Sequence, residues 1–177
     1  MNYAAIIYDD IANGPGIRTS LFVSGCRRSC EGCFNKEAQS FEYGKPYNDK
    51  VEMNIIHSMD EYHHGISILG GEPLEPENAP TLLSLVKLFR SFYPKEEGYD
   101  KNIWLFTGWK FEDIMEFSDS NPIKQLALSV DVLVDGPFIL KERDITLKFR
   151  GSRNQRLIDI KKYNESGIIQ CIDDNLF

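Results

Sequence analysis

The sequence has little of what usually announces chemistry. Its 177 residues include three histidines and four cysteines. It contains no Ser-His-Asp order, no G-x-x-x-x-G-K phosphate loop and no H-E-x-x-H pair, which leaves hydrolase chemistry without support. A basic excess is missing too. The net charge of −7 argues against a protein whose main task is gripping nucleic acid, although Lys148, Arg150, Arg153 and Arg156 make a local basic spot. No apolar run approaches the length of a membrane span, and the N-terminus lacks the basic and apolar regions of a secretory signal. The expected location is the cytoplasm, with neither membrane nor nucleic acid as partner. Repeats, low-complexity tracts and Gly/Ser/Pro linkers are absent as well, so residues 1–177 read most simply as one domain.

Three of the four cysteines stand in one short run, Cys26, Cys30 and Cys33, spaced C-x3-C-x2-C. They are packed too tightly for a secreted disulfide framework, and in a reducing compartment clustered cysteines read as metal ligands or redox groups. A closed zinc site or an ordinary ferredoxin site takes four protein ligands. Three thiols on one loop therefore suggest a metal centre with one position open to a substrate. Two alternatives stand beside this reading. One is a structural zinc site completed by His57, His63, His64 or Cys171, none of which has a usual zinc-finger spacing from Cys33. The other is a dithiol redox pair, since Cys30 and Cys33 form a C-x-x-C. Gly25 and Gly32 favour a bulky centre, because bare backbone can wrap closely and offer amide donors to sulfur.

Apolar, β-branched runs alternate with helical patterns along the chain. Strands are expected at Tyr3–Tyr8, Thr19–Val23, Gly65–Leu69, Asn102–Phe106 and Asp131–Val134. Helices are expected over Asp49–Tyr62, Pro80–Tyr93 and Phe111–Phe117; the second carries Leu82, Leu85, Val86 and Phe89 on one side. This order predicts an α/β fold with a mainly parallel sheet, in which ligands bind at the carboxyl ends of strands. The cysteine loop, Gly70-Gly71-Glu72, Thr107-Gly108 and Asp135-Gly136 each follow an expected strand. Parallel strands would bring all four to one rim.

Singly, the other motifs stay ambiguous. Gly70-Gly71 is either a turn or bare backbone that approaches a ligand, with Glu72 available to an ammonium group. Asn13-Gly14-Pro15-Gly16 reads as a turn, and Arg18 as either a solvated side chain or a carboxylate contact near the cysteines. Arg150-Gly151-Ser152-Arg153-Asn154-Gln155 reads first as a surface loop, His63-His64 as a turn, and Cys171 as a small apolar residue.

Together these residues resemble a known family. The cysteine run resembles the cluster motif of the radical S-adenosylmethionine superfamily, and Gly70-Gly71-Glu72 its methionine-binding segment. Asn13 to Cys26, Leu133 to Phe138 and Arg150 to Gln155 resemble a narrower group, the anaerobic ribonucleoside-triphosphate reductase activating proteins. The resemblance covers residues 1 to about 160, leaving 161–177 as an unassigned tail. Gly32 stands where the superfamily usually has an aromatic, with Phe34 after Cys33, as in the narrower family.

The resemblance implies an incomplete β/α barrel, since a full one typically needs ~200 residues or more. It implies a [4Fe–4S] cluster on Cys26, Cys30 and Cys33, whose open iron takes the amino and carboxylate groups of S-adenosylmethionine. Gly32, Cys33, Phe34, Gly70, Gly71 and Glu72 are the implied cofactor neighbours. The implied activity is one-electron cleavage of that cosubstrate, from a cluster type whose potentials reach about −700 mV. The radical so made would remove hydrogen from a backbone glycine of the large reductase subunit. A low-potential donor such as a flavodoxin is the other implied partner. Competing readings are an activating enzyme of the pyruvate formate-lyase type and a non-catalytic zinc or iron–sulfur module.

Overall fold

The computed structural model describes residues 1–173 and 176. Its strands are β1 (Asn2–Asp10), β2 (Ile17–Val23), β3 (Lys45–Pro46), β4 (His63–Gly70), β5 (Asn102–Phe106), β6 (Val132–Asp135) and β7 (Arg156–Asp159). Its helices are α1 (Asp49–His57), α2 (Ala79–Phe92), α3 (Phe111–Met115), α4 (Pro122–Ser129) and α5 (Ile160–Ser166).

Strand alternation decides what each side of the sheet does. Leu21, Ile68, Leu105, Leu133 and Ile158 are register partners in one row across five strands, and all five are buried. This face carries the main core, packed against Ile55 and Ile56 of α1, Leu82 and Phe89 of α2, Ile114 of α3, Leu126 of α4 and Ile160 of α5. The opposite face bears Ser20, Ser67, Trp104 and Val132 in the adjacent row. A smaller cluster of Trp104, Val132, Val134 and Leu157 lies there, with Phe106 and Phe149 against it. One face is thus roofed by helices, while the other is left for a cleft.

The strands form one seven-stranded sheet in the order β3-β1-β2-β4-β5-β6-β7. The pairs β2/β4, β4/β5 and β5/β6 are parallel, whereas β1/β2, β1/β3 and β6/β7 are antiparallel. The fold is therefore mixed α/β, with an open sheet that is largely parallel at its centre. The carboxyl ends of β2, β4, β5 and β6 are neighbours, so the four segments following them do share one rim. No described helix is long and apolar enough to cross a membrane.

Several expectations are corrected. The first helix stops at His57, five residues short of Tyr62 in the sequence reading, because Asp60 accepts the Tyr62 and His63 amides at 2.9 and 3.1 Å in a side-chain turn. His63 opens β4 and is buried, not held in a turn. Cys171 is exposed and bridges to Ile158, while the Ile172 amide donates to the Leu157 carbonyl at 2.7 Å. The segment 161–177, unassigned from sequence, includes most of α5, which docks through Ile160 and Tyr163.

Asp131 ties the connection after α2 to the sheet. Its carboxylate accepts from Arg90 Nη2 at 2.5 Å, from the Ile103 amide at 2.7 Å and from Lys95 Nζ. Burial alone would raise this carboxyl, but those three partners outweigh it and hold it below its ordinary value. A depressed carboxylate stabilises above its unfolded pKa, and that stability is lost as pH falls through the folded value. Asp131→Asn is expected to cost about 2 kcal/mol at pH 7. The gap between variant and wild type should narrow as pH falls through the depressed folded value, where the carboxyl becomes protonated in both states. Urea denaturation at neutral pH and across an acid series measures it.

Candidate metal centre

The cysteine loop begins where β2 ends, and its entry is fixed by backbone alone. Gly25, at φ +95°, donates to the Ala38 carbonyl at 2.8 Å, and the Cys26 amide donates to Gln39 at 3.0 Å. The loop from Cys26 to Ala38 is thus closed at its base. The adjacent end of β4 is sewn to the same entry, since the Gly71 amide donates to Val23 and the Glu72 amide to Gly25, both at 2.8 Å.

Glycine is required at position 71 by this sewing. A Cβ there would stand 2.6 Å from the Gly25 oxygen and 2.9 Å from the Ala38 oxygen, both backbone atoms that cannot turn aside. Gly71→Ala is expected to push the cysteine loop away from the β4 end. Lower iron retention per chain after anaerobic reconstitution would register the displacement.

Two consecutive arginines hold the loop to the segment after β4. Arg27 donates through its amide to Glu75 Oε1 at 2.8 Å and through Nη1 to Oε2 at 2.5 Å, and it reaches Glu77 and stacks over Phe41 at 4.4 Å. Arg28 donates from Nε to Glu72 Oε2 at 3.1 Å and lies over the Trp109 ring at 4.7 Å. Glu72 is fully buried, and its carboxylate accepts from four protein donors. They are the Leu74 amide at 2.9 Å, Thr107 Oγ1 at 2.7 Å, the Gly108 amide at 2.8 Å and Arg28. Burial pushes this carboxyl up and the donors press it back. Every partner donates, so the pocket is built for the ionised form. Glu72 braces the ends of β4 and β5 against the cysteine loop, and its carboxylate is already engaged on all sides.

A cleft of about 440 Å³ opens at this rim on the face free of helices. Cys26, Cys30, Cys33, Gly70 and Gly71 all line it. Phe34 lines it too, 72% exposed, with Phe138 at 6.0 Å between ring centres and the Arg143 guanidinium at 5.1 Å. Gly32, at φ +74°, packs so closely on Leu140 that a Cβ would come within 2.9 Å of it.

Arg18 lies elsewhere than expected. It is neither solvated nor near the cysteines, but fully buried across the starts of β4 and β5. Arg150–Gln155 is an organised turn rather than a loose loop: Gln155 Oε1 accepts the Gly151 and Ser152 amides at 2.8 and 3.1 Å, and Nε2 donates to Gly136 at 3.0 Å. Arg150, Gly151 and Gln155 complete the far wall of the cleft.

The cysteines are free thiols, and no histidine shares their cleft. Burial, with added repulsion from Glu72 and Glu75, pushes the Cys26 thiol up, a direction that a bound cation reverses by holding the thiolate. Among the described residues no three Cys, His, Asp or Glu side chains converge on a point suited to one metal ion. A cluster makes no such demand, because its irons are separate corners. A soft set of three thiols around an open cleft fits an iron–sulfur cluster better than a closed zinc site.

Comparison with known proteins agrees with this donor chemistry. Residues 12–158 match a family model described as a 4Fe-4S single cluster domain. An anaerobic ribonucleoside-triphosphate reductase-activating protein of Pasteurella multocida is 37% identical over 166 residues, covering 92% of this chain and all of the relative. The protein of that name from Escherichia coli K12 is 39% identical over 158 residues, covering 88% and 96%. The one from Enterobacteria phage T4 is 37% identical over 160 residues, covering 89% and 93%. At such identity over nearly the full length of both partners, the chain belongs to the family of anaerobic ribonucleoside-triphosphate reductase-activating proteins.

Proposed function

We propose that this protein activates an anaerobic ribonucleoside-triphosphate reductase by reductive cleavage of S-adenosylmethionine. In this reading it is a cytoplasmic oxidoreductase of one domain, its open sheet a partial barrel of the radical S-adenosylmethionine type. The observation that carries the reading is the meeting of all three loop cysteines with Gly70 and Gly71 on one cleft at the carboxyl ends of parallel strands.

Cys26, Cys30 and Cys33 would hold the [4Fe–4S] cluster. Bound there, the cluster would supply one electron to the sulfonium, leaving methionine and a 5′-deoxyadenosyl radical that takes hydrogen from a backbone glycine of the reductase. The chain's own residues orient the reactants. Gly70 and Gly71 offer bare backbone to the methionyl amino end, with Glu72 fixing the segment from behind. Gly32 and Phe34 would flank the cofactor from the cysteine loop, and Phe34 with Phe138 would help keep water from the radical. The electron would come from a low-potential protein such as a flavodoxin.

Anaerobic reconstitution with iron and sulfide, strong reductant, S-adenosylmethionine and the large reductase subunit tests the proposal. The expected result is 5′-deoxyadenosine together with a glycyl radical signal on the reductase. A signal on pyruvate formate-lyase alone would reassign the target, and zinc uptake without cleavage would leave a binding module.

A further inference from the structure

Two arginines line the cleft, Arg28 and Arg150. Arg28 is the one carried by the cysteine loop itself, midway between Cys26 and Cys30. Three contacts fix its guanidinium. Nε is bonded to the buried Glu72 carboxylate, the plane lies over Trp109 at 4.7 Å, and the aliphatic stem packs on Gly108, where a Cβ would collide with it. Its side chain keeps 26% exposure, and neither Nη atom makes a hydrogen bond to any described residue. An immobilised guanidinium with its outer edge unengaged is a carboxylate receptor: the fork is planar, always charged and already ordered. The cost of ordering a flexible side chain is met by the fold before any ligand arrives.

We propose that Arg28 binds the carboxylate of the methionyl end of S-adenosylmethionine. The assignment rests on the cofactor reading above and adds to it the group that recognises the amino-acid end. It also explains the chemistry around Glu72. That carboxylate is buried and fully engaged, so it orients Arg28 through Nε and leaves the Nη edge for a second, incoming carboxylate. An arginine between two carboxylates serves one as an anchor and the other as a ligand. Glu72 is in this sense a positioning residue, acting through Arg28.

The test is a cycle of two ligands and two proteins. Cluster-loaded wild type and Arg28→Met, matched for iron content, are titrated anaerobically by equilibrium dialysis with S-adenosylmethionine and with its decarboxylated analogue. Loss of any contact between iron and carboxylate affects both proteins equally and cancels. Arg28→Met is expected to weaken S-adenosylmethionine about tenfold to a hundredfold, the range for a charge-assisted hydrogen bond, and the analogue less than about twofold. Arg28→Lys should fall between, keeping the charge and losing the fork. If Arg28→Met weakens both ligands by the same factor, the residue shapes the loop only and the assignment is overturned. Equal affinity of both proteins for S-adenosylmethionine overturns it as well. A wild type that binds neither ligand would instead overturn the cofactor reading, and this assignment with it.

Discussion

Cys30→Ala is expected to bring 5′-deoxyadenosine formation to background and to remove most cluster iron, while Cys171→Ala leaves both at wild-type level. The contrast follows from position. Cys30 lines the cleft with Cys26 and Cys33, on a loop closed at its base by the Gly25 and Cys26 amides. With only three thiols at the cleft, no described cysteine or histidine stands by to replace a lost one. Cys171 lies on the outer edge of β7, exposed, and has no place in that wall. Iron analysis, the visible absorption of the reconstituted protein and product chromatography read the two outcomes separately. Cleavage retained by Cys30→Ala would refute the ligand set.

The largest stability effect is expected at Arg18. Its guanidinium spans three strands: from β2 it donates Nε to Ser67 Oγ at 2.7 Å and Nη2 to the Ile66 carbonyl at 2.7 Å on β4. It reaches Asn102 Oδ1 on β5 at 2.8 Å, with Trp104 at 5.6 Å from the ring centre. No described carboxylate touches it. Burial pushes its pKa down to about 9, with the more distant charges of Asp131 and Asp10 opposing, so it stays charged at neutral pH. Arg18→Ala would open a void and strand several buried acceptors at once, a loss of about 3–5 kcal/mol. In a domain of this size that lowers Tm by about 10–15 °C. Arg18→Met should recover part of the volume but none of the hydrogen bonds, and so fall between. Thermal unfolding followed by circular dichroism would rank the three proteins; an Arg18→Ala within about 1 kcal/mol of wild type would mean that water replaces the guanidinium.

Arg18 also shows where sequence reading stops. Its hydrogen-bond partners on β4 and β5 are 48 to 84 residues away, and nothing in the sequence of Gly14-Pro15-Gly16 indicates that the side chain turns inward. The central strands were legible because each is a short β-branched run bounded by turn residues, and Asn102–Phe106 coincides with β5. The cysteine loop was legible because its ligands are close in sequence. Residues α4 and β7 were not read. In α4 the signals were present, an Asn121 cap followed by Pro122, with Ile123, Leu126 and Ala127 on one face, but eight residues give little period to detect. Strand β7 is four residues long, too short for alternation to show. Within the site, sequence supplied the cysteines, the glycines, Phe34, Glu72 and the Thr107-Gly108 segment but not Arg27, Arg28 or Glu75. Their roles are ion pairs and hydrogen bonds between loops, and such partners are chosen by the fold.

The ends of the sheet have a consequence for how partners can engage. An open sheet normally offers unpaired backbone at its edges, and a foreign strand can add there. Here β3, two residues long with the charge of Lys45 and no amide on Pro46, covers only Asn2 and Tyr3 of β1, and no described strand pairs with the outer side of the rest. At the other edge, the Asp159 amide donates to Gln170 at 2.9 Å and the Leu157 carbonyl accepts from Ile172 at 2.7 Å, so β7 is capped by its own chain. Strand addition is blunted at β7, while residues 4–10 of β1 stay open to it. At the cleft itself recognition of another protein falls to side chains, and Phe34 stands exposed at its mouth.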